Sequence, residues 1–390
     1  MKKVGVFFGG RSVEHEVSII TAMQVIENMD RNKYTPVAIY IDKDGRWLTG
    51  ESLLNFITYK ENNFKDAKRI ILSPNHNDNN LYLHPDEIGM FTKNKVVDKI
   101  DMAFLAFHGT NGEDGTMQGL MELNNIPYAG AGVLASSVGM DKILMKDVYK
   151  SNGIPVVSYL WFYRKAWKSD KEALIAKIEK EIGYPVFVKP SNLGSSIGIS
   201  KAKDREGLEL AINIAVSYDR KVIVEQAVEN PREINCAVIG YDNVVETSLC
   251  EEPLGWTDIL SFEDKYVKKG SKSEKSSDSK RSIPADIPDA LRNTIEDLAK
   301  RAFTTIDGRG NARIDFLVNK DGNVFVNEIN TLPGSVAFYL WEGRGYDFKT
   351  LINKMMDIAE ITHRQKNENM YTFDSNLLNR TIYGSKGGKM

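Results

Sequence analysis

Apolar residues in this chain fall into short runs and helical stripes that alternate. The run Val4 to Phe8 meets Gly9-Gly10-Arg11-Ser12, after which Val17, Ile20, Met23 and Ile26 recur three apart on one helical face. Strand, glycine turn and helix in that order are the first unit of an open α/β sheet. A second strand, Pro36 to Ile41, ends in the turn residues Asp42-Lys43-Asp44-Gly45. A further strand, Asp101 to Phe107, delivers His108-Gly109 into a glycine-rich loop. Doubly wound sheets bind ligands beyond the carboxyl ends of their strands, so the loops Gly9 to Ser12 and His108 to Thr116 belong on the ligand side.

The stripe from Ser136 to Asn152 predicts one helix, stopped by Gly153 and Pro155, that leads into a second domain. The pattern then becomes α+β. Helices are predicted at Asp170 to Glu181 and Arg205 to Val216, with strands at Pro185 to Lys189 and Lys221 to Glu225. Strands Ile234 to Ile239 and Val244 to Leu249 flank a turn, residues 289 to 306 read as a helix and 311 to 329 as a hairpin. With 390 residues the chain holds two or three domains, and boundaries are expected near 135, 228 and 363, followed by a peripheral polar tail over 364–390. Lys268 to Ser282 is rich in serine and lysine, cannot bury a core, and is expected to be a mobile loop or a lid over an anionic ligand.

Charge narrows the partners. Fifty-one basic and 53 acidic residues leave a net charge of −2, which gives no general attraction to nucleic acid or an anionic membrane. No run approaches the ~18 apolar residues of a membrane span, and the N-terminus has no signal-peptide pattern, so a cytoplasmic protein is expected. Two cysteines, Cys236 and Cys250, are too few for a disulfide framework or a cysteine-based zinc site.

The most informative segment runs from Arg313 through Asp315 to Glu328 and Asn330. If Asp321-Gly322 forms a two-residue hairpin turn, Asp315 faces Glu328 and Arg313 faces Asn330, with all four on one face. Facing carboxylates repel, so a cation must compensate. Hard oxygen donors without histidine or cysteine select magnesium; Arg313 alone is the structural alternative.

Lys189 ends a buried strand and precedes Pro190-Ser191-Asn192-Leu193-Gly194-Ser195-Ser196-Ile197-Gly198, whose hydroxyls and unhindered N–H groups suit a phosphate. Neither a Walker P-loop nor a dinucleotide fingerprint occurs. Gly194 to Gly198 matches the nucleophile-elbow string, but Ile197 to Lys201 reads as a strand where a hydrolase needs a helix. Glu14, His108, Glu113, Lys142, Glu225 and Lys265 have ordinary structural readings when taken singly.

Together, these strings resemble the D-alanine–D-alanine ligase family of the ATP-grasp superfamily. The likeness runs from residue 2 to 362 in the same order. It includes Gly9 to Ser18, His108 to Gly119, Met140-Asp141-Lys142, Val188-Lys189-Pro190, Lys265-Tyr266 and Ala312 through Asn330-Thr331-Leu332-Pro333-Gly334. The resemblance implies an α/β fold: a doubly wound N-terminal domain over 1–135, then a two-subdomain α+β ATP-grasp fold over 136–228 and 229–363. It implies that ATP and D-alanine are substrates, that an acyl phosphate forms, and that D-alanyl-D-alanine is made for peptidoglycan. Two magnesium ions, or manganese in their place, would be held by Asp315, Glu328 and Asn330. Lys142, Lys189, Ser196 and Lys265 would contact phosphates, with Glu225 and Glu233 near the adenosine. Glu14, Ser195 and Tyr266 would form a linked triad, with Glu14 on the first ammonium group. Arg313 and Gly334 would line the reacting carboxylate, beside His108, Glu113, Tyr339 and Leu340. A homodimer is implied as well.

One departure concerns the second substrate. Where the family usually offers a serine after Pro333-Gly334, this chain has Tyr339, followed by Leu340. D-Serine, D-lactate or another amino acid is therefore the alternative second substrate, and a nucleotide-binding protein without turnover is the remote one.

Overall fold

The computed structural model describes residues 1–89, 95–254 and 281–375. The strand β1 (Lys2–Gly9), the helix α1 (His15–Asn28) and β2 (Tyr34–Ile41) open the chain. There follow β3 (Trp47–Thr49), α2 (Phe56–Lys60), β4 (Lys68–Leu72), β5 (Asn80–Leu83), β6 (Val96–Lys99) and β7 (Met102–Leu105), then α3 (Thr116–Asn124) and β8 (Tyr128–Ala129). One sheet takes these strands in the order β6-β5-β4-β3-β2-β1-β7-β8. Its parallel part, β2-β1-β7-β8, follows the expected pattern: Val4, Val6, Phe7 and Phe8 are all buried because helices or chain cover both faces. The antiparallel extension β3 to β6 is a feature the apolar pattern did not disclose, since its strands are short and half polar.

The single helix expected over Ser136 to Asn152 is two helices, α4 (Val133–Met140) and α5 (Lys142–Ser151). Asp141 breaks them. Its extended backbone starts α5, and its carboxylate accepts from the Ile143 and Leu144 N–H groups at 3.1 and 3.2 Å. The same carboxylate pairs with Lys221 and accepts from Ser191 Oγ, so distant residues fix the break.

A second sheet, β11-β10-β12-β9, holds β9 (Tyr159–Tyr163), β10 (Val186–Pro190), β11 (Ser200–Ala202) and β12 (Lys221–Gln226). The helices α6 (Arg164–Ser169), α7 (Lys171–Glu181) and α8 (Arg205–Tyr218) belong to the same segment, and Ile175, Ile178, Leu208 and Ile212 of α7 and α8 share its apolar core with Val186, Val188, Val222 and Val224. The third sheet, β15-β14-β13-β16-β17, contains β13 (Arg232–Tyr241), β14 (Val244–Pro253), β15 (Arg281–Ser282), β16 (Gly310–Val318) and β17 (Val324–Asn330), with α9 (Asp289–Thr305) packed on it. Of the expected mobile loop, Lys268 to Lys280 lies outside the described residues, whereas Arg281 and Ser282 form a strand against Pro253 and Glu252.

The last helix, α10 (Phe348–Asn367), runs past the expected start of the tail at 364. Its final turn docks on the end of α3: Lys366 pairs with Glu122, and Asn367 donates to Asn125 at 3.1 Å. Leu351, Ile352, Met355 and Met356 of α10 share one core with Val4, Val6 and Phe8 of β1.

Candidate active site

The carboxyl ends of β1 and β7 converge at the start of α1. Glu14 stands there, buried, its own N–H donating to Ser12 Oγ at 3.1 Å. Ser195 Oγ, from the loop after β10, donates to the Glu14 carboxylate. A Cβ at Gly109 or Gly194 would lie 2.9 or 2.8 Å from Glu14 Oε2, so a side chain at either position would displace the carboxylate, and the φ of 78° at Gly109 also favours glycine. Glu113 accepts from the Gly109 N–H at 2.6 Å, and burial, followed by the Glu14 charge, pushes its carboxyl well above the usual range. A buried acid and a half-buried one meeting from different loops create a place that favours a cation such as an ammonium group.

His108 ends the same strand connection. Its Nε2 lies 2.8 Å from Thr21 Oγ1, which also accepts from the Ser335 N–H at 3.2 Å. Burial pushes the imidazole down to about 4, opposed by its bond to the Leu332 backbone and assisted by the Arg313 charge. The neutral ring thus joins α1 to the loop after β17. In that loop Ser335, Val336 and Ala337 all have positive φ, of 51°, 56° and 48°. Such a run is costly for side-chain-bearing residues, and it is held by the Thr21 bond and by Asn311 Nδ2 donating to the Val336 carbonyl at 2.7 Å.

Lys142 opens α5. Its ammonium donates to the Leu193 carbonyl at 2.8 Å and lies 3.5 Å from Glu328 Oε2, tying the serine loop to β17. Within the loop, Ser195 and Ser196 take left-handed conformations, with φ of 53° and 58°. Lys189 pairs with Glu225 Oε2 at 2.6 Å. Burial alone would raise the Glu225 carboxyl, but the charges of Lys146 and Lys189 outweigh it and hold it below the usual range.

The hairpin reaches the expected pairing by a different route. Arg313 pairs with Asn330 and Asp315 with Glu328, yet Val318 pairs with Val324, one residue out of step with them. The turn is odd-numbered: Asn319 N–H donates to the Asn323 carbonyl at 3.0 Å, and Asn319 Oδ1 caps the Asp321 and Asn323 N–H groups. Left regular, this register would put Glu328 on the face opposite Asp315. A bulge at Asn327 absorbs one residue and returns Glu328 to that face. Arg313 grips Asp315 through Nε and Nη2 at 2.6 and 2.7 Å, and Asn330 Nδ2 donates to it at 3.0 Å. Among the described residues no group of three or more His, Cys, Asp and Glu is poised for a metal; this set is two carboxylates and a carboxamide. Those are hard oxygen donors, each acid already needing a cationic neighbour, and they fit magnesium.

Tyr339 donates to Glu251 Oε2 at 3.3 Å, and the Arg281 guanidinium lies 4.5 Å above its ring. Burial, opposed by the Arg313 charge, pushes the phenol up to about 12. Leu340 is fully buried in the core beside Trp341, so its side chain does not reach the cleft. Glu233 pairs in register with Leu317. Lys265 and Tyr266 lie outside the described residues. Sequence reasoning missed Thr21, Lys146, Glu251 and Asn327, and it reached Arg281 only as part of the basic segment Lys268 to Ser282. Of the four missed, only Lys146 carried a signal, since it follows Lys142 by four residues on one helical face.

Two antiparallel sheets facing a lysine-lined cleft, with a carboxylate hairpin on one side and a serine-rich loop on the other, define an ATP-grasp fold. Models for the D-ala D-ala ligase N-terminus and C-terminus match residues 3–131 and 148–357. The chain belongs to the D-alanine–D-alanine ligase family. It is 42% identical over 383 residues to the D-alanine–D-alanine ligase of Thermosipho africanus, covering 98% of this chain and all of that one. The enzyme of the same name from Bacillus cytotoxicus is 38% identical, covering 95% and 99% of the two chains. Among solved structures, the D-alanine-D-alanine ligase from Coxiella burnetii superimposes with a TM-score of 0.76 at 28% identity, over 94% of this chain and 98% of that one. The VanG D-Ala:D-Ser ligase from Enterococcus faecalis does so with 0.75 at 30%, over 92% and 99%.

Proposed function

We propose that this chain joins two D-alanines, using ATP to activate the carboxylate of the first as an acyl phosphate that the amine of the second captures. The observation that carries the reading is the meeting of Glu14, Ser195, Lys142 and Glu328, from four segments remote in sequence, around one cleft. A carboxylate attacking a γ-phosphate brings like charges together, so cationic side chains must surround them. In this reading Lys142 and Lys189 hold the phosphates with Ser196 and Lys265. Glu225 and Glu233 serve the adenosine side. Glu14 and Glu113 hold the first ammonium group, His108 braces the loop that presents Gly334, and Arg313 faces the reacting carboxylate. The second amine displaces phosphate, losing a proton toward the Glu14, Ser195 and Tyr266 triad. Asp315, Glu328 and Asn330 would hold magnesium, which supplies charge neutralisation to the phosphates.

Phosphate release with ATP, magnesium and D-alanine alone, against D-alanine paired with D-serine or D-lactate, tests the reading. Release with D-alanine alone supports it; release only in a pair assigns another second substrate, and none at all leaves a nucleotide-binding protein. We further propose a cytoplasmic homodimer. No helix among the described residues is long and apolar enough to cross a membrane, and exposed Leu123 and Leu134 on α3 and α4 offer an apolar contact surface. Sedimentation at a monomer's mass would overturn the dimer.

A further inference from the structure

Lysine is rarely buried completely, because an ammonium group in the interior must be paired. Lys146 on α5 has a side chain with 0% exposure. It leaves the same helical face as Lys142, one turn later. Its ammonium lies 3.2 Å from Glu225 Oε1 and donates to the Asn327 carbonyl at 3.1 Å. Lys189 takes the other Glu225 oxygen at 2.6 Å and donates to Asn327 Oδ1 at 3.3 Å. Two ammonium groups therefore share one carboxylate and both ends of one bulged residue. The difference between them is access: the Lys189 side chain keeps 10% of its surface, whereas Lys146 has none with which to meet a ligand.

We propose that Lys146 is a positioning residue for the nucleotide: by occupying Glu225 and the Asn327 carbonyl, it leaves the cluster one positive charge in excess and makes that charge available at Lys189. The inference rests on the proposed use of this cleft for ATP. Without Lys146, Glu225 would neutralise Lys189 one to one, and the lysine that reaches the cleft would offer a phosphate no net charge. The bulge takes part, because it turns the Asn327 carbonyl and carboxamide toward the two lysines while Glu328 stays with Asp315.

Calorimetric titration of Lys146→Met with ATP and with inorganic tripolyphosphate, both with magnesium, tests the proposal. Each should bind about tenfold more weakly, the scale of one lost charge-assisted contact. Adding Glu225→Gln to Lys146→Met restores the excess charge and should recover most of the loss for tripolyphosphate, which has no adenosine to contact residue 225. A lower melting temperature with unchanged tripolyphosphate affinity would make Lys146 a structural brace and overturn the proposal, as would a double variant no better than the single one. If Lys146→Met does not fold, Glu225→Gln alone should tighten tripolyphosphate binding, and unchanged or weaker binding overturns the idea. Absence of ATP binding by the unsubstituted protein would remove the nucleotide reading and this one with it; unaltered binding by Lys146→Met would remove this one alone.

Discussion

His108 is held neutral by burial, between the Thr21 hydroxyl and the Leu332 backbone. Its pKa falls from 6.5 to about 4, so between those values the unfolded chain binds a proton that the folded chain refuses. Stability present above about pH 6.5 is then lost as pH falls toward 4, by about 3 kcal/mol for this group. Thermal unfolding of the unsubstituted protein and His108→Gln across that window should show a shallower acid loss in the variant; equal slopes would assign the effect elsewhere. Tyr339 is the other residue whose role one atom decides. Its ring packs beside Phe338, but its hydroxyl reaches Glu251 rather than the core. With Tyr339 at the second substrate, as the family resemblance implies, Tyr339→Phe should raise the KM for the second D-alanine about tenfold, the scale of a hydrogen bond to a charged group, and leave the KM for ATP unchanged. Unchanged kinetics for both substrates would make the hydroxyl a packing detail.

At the scale of elements, two local irregularities place the chemistry. The break at Asp141 turns α5 so that Lys142 faces the cleft and Lys146 is buried against Glu225, and it depends on a cap and an ion pair made by one carboxylate. Asp141→Ala should cost about 1–2 kcal/mol for the cap and more for the stranded Lys221, read as a lower denaturant midpoint. It should also weaken ATP binding, because the start of α5 is no longer fixed against Ser191. The bulge at Asn327 is the second irregularity. The facing of Asp315 and Glu328 was expected from a two-residue turn and unbroken alternation, whereas an odd-numbered turn and the bulge together deliver it. Asn319 captures two N–H groups of the turn with its own side chain, which changes the loop length without altering the strand pattern.

At the scale of the molecule, α10 closes back on α3 and the first sheet. Glu122 of α3 gathers Arg309 at 3.2 Å, Tyr128 at 2.8 Å and Lys366. Replacing it by Ala strands two cations that are half-buried, so the melting temperature should fall while KM values at room temperature stay the same. A change in KM without a change in melting would reverse that assignment. The same closure places Val336, Ala337 and Leu340 in one core with α1 and α10, which braces the strained loop after Gly334 from behind.

By itself the sequence determined the features that repeat along the chain: the strand, glycine loop and α1 unit, the serine loop after Lys189, and the strands that carry Asp315 and Glu328, whose shared face the bulge at Asn327 decided. Each is written in the spacing of neighbouring residues, because backbone geometry imposes periods of two and 3.6. Only the tertiary structure decided that Asp141 splits a continuous apolar stripe, that Lys146 is buried rather than exposed, and that Tyr339 answers to Glu251 and Arg281. The physical reason is common to all three. The sign and strength of a polar contact depend on what distant segments pack against it, and a lysine on a helix looks the same in sequence whether its partner is water or the Glu225 carboxylate.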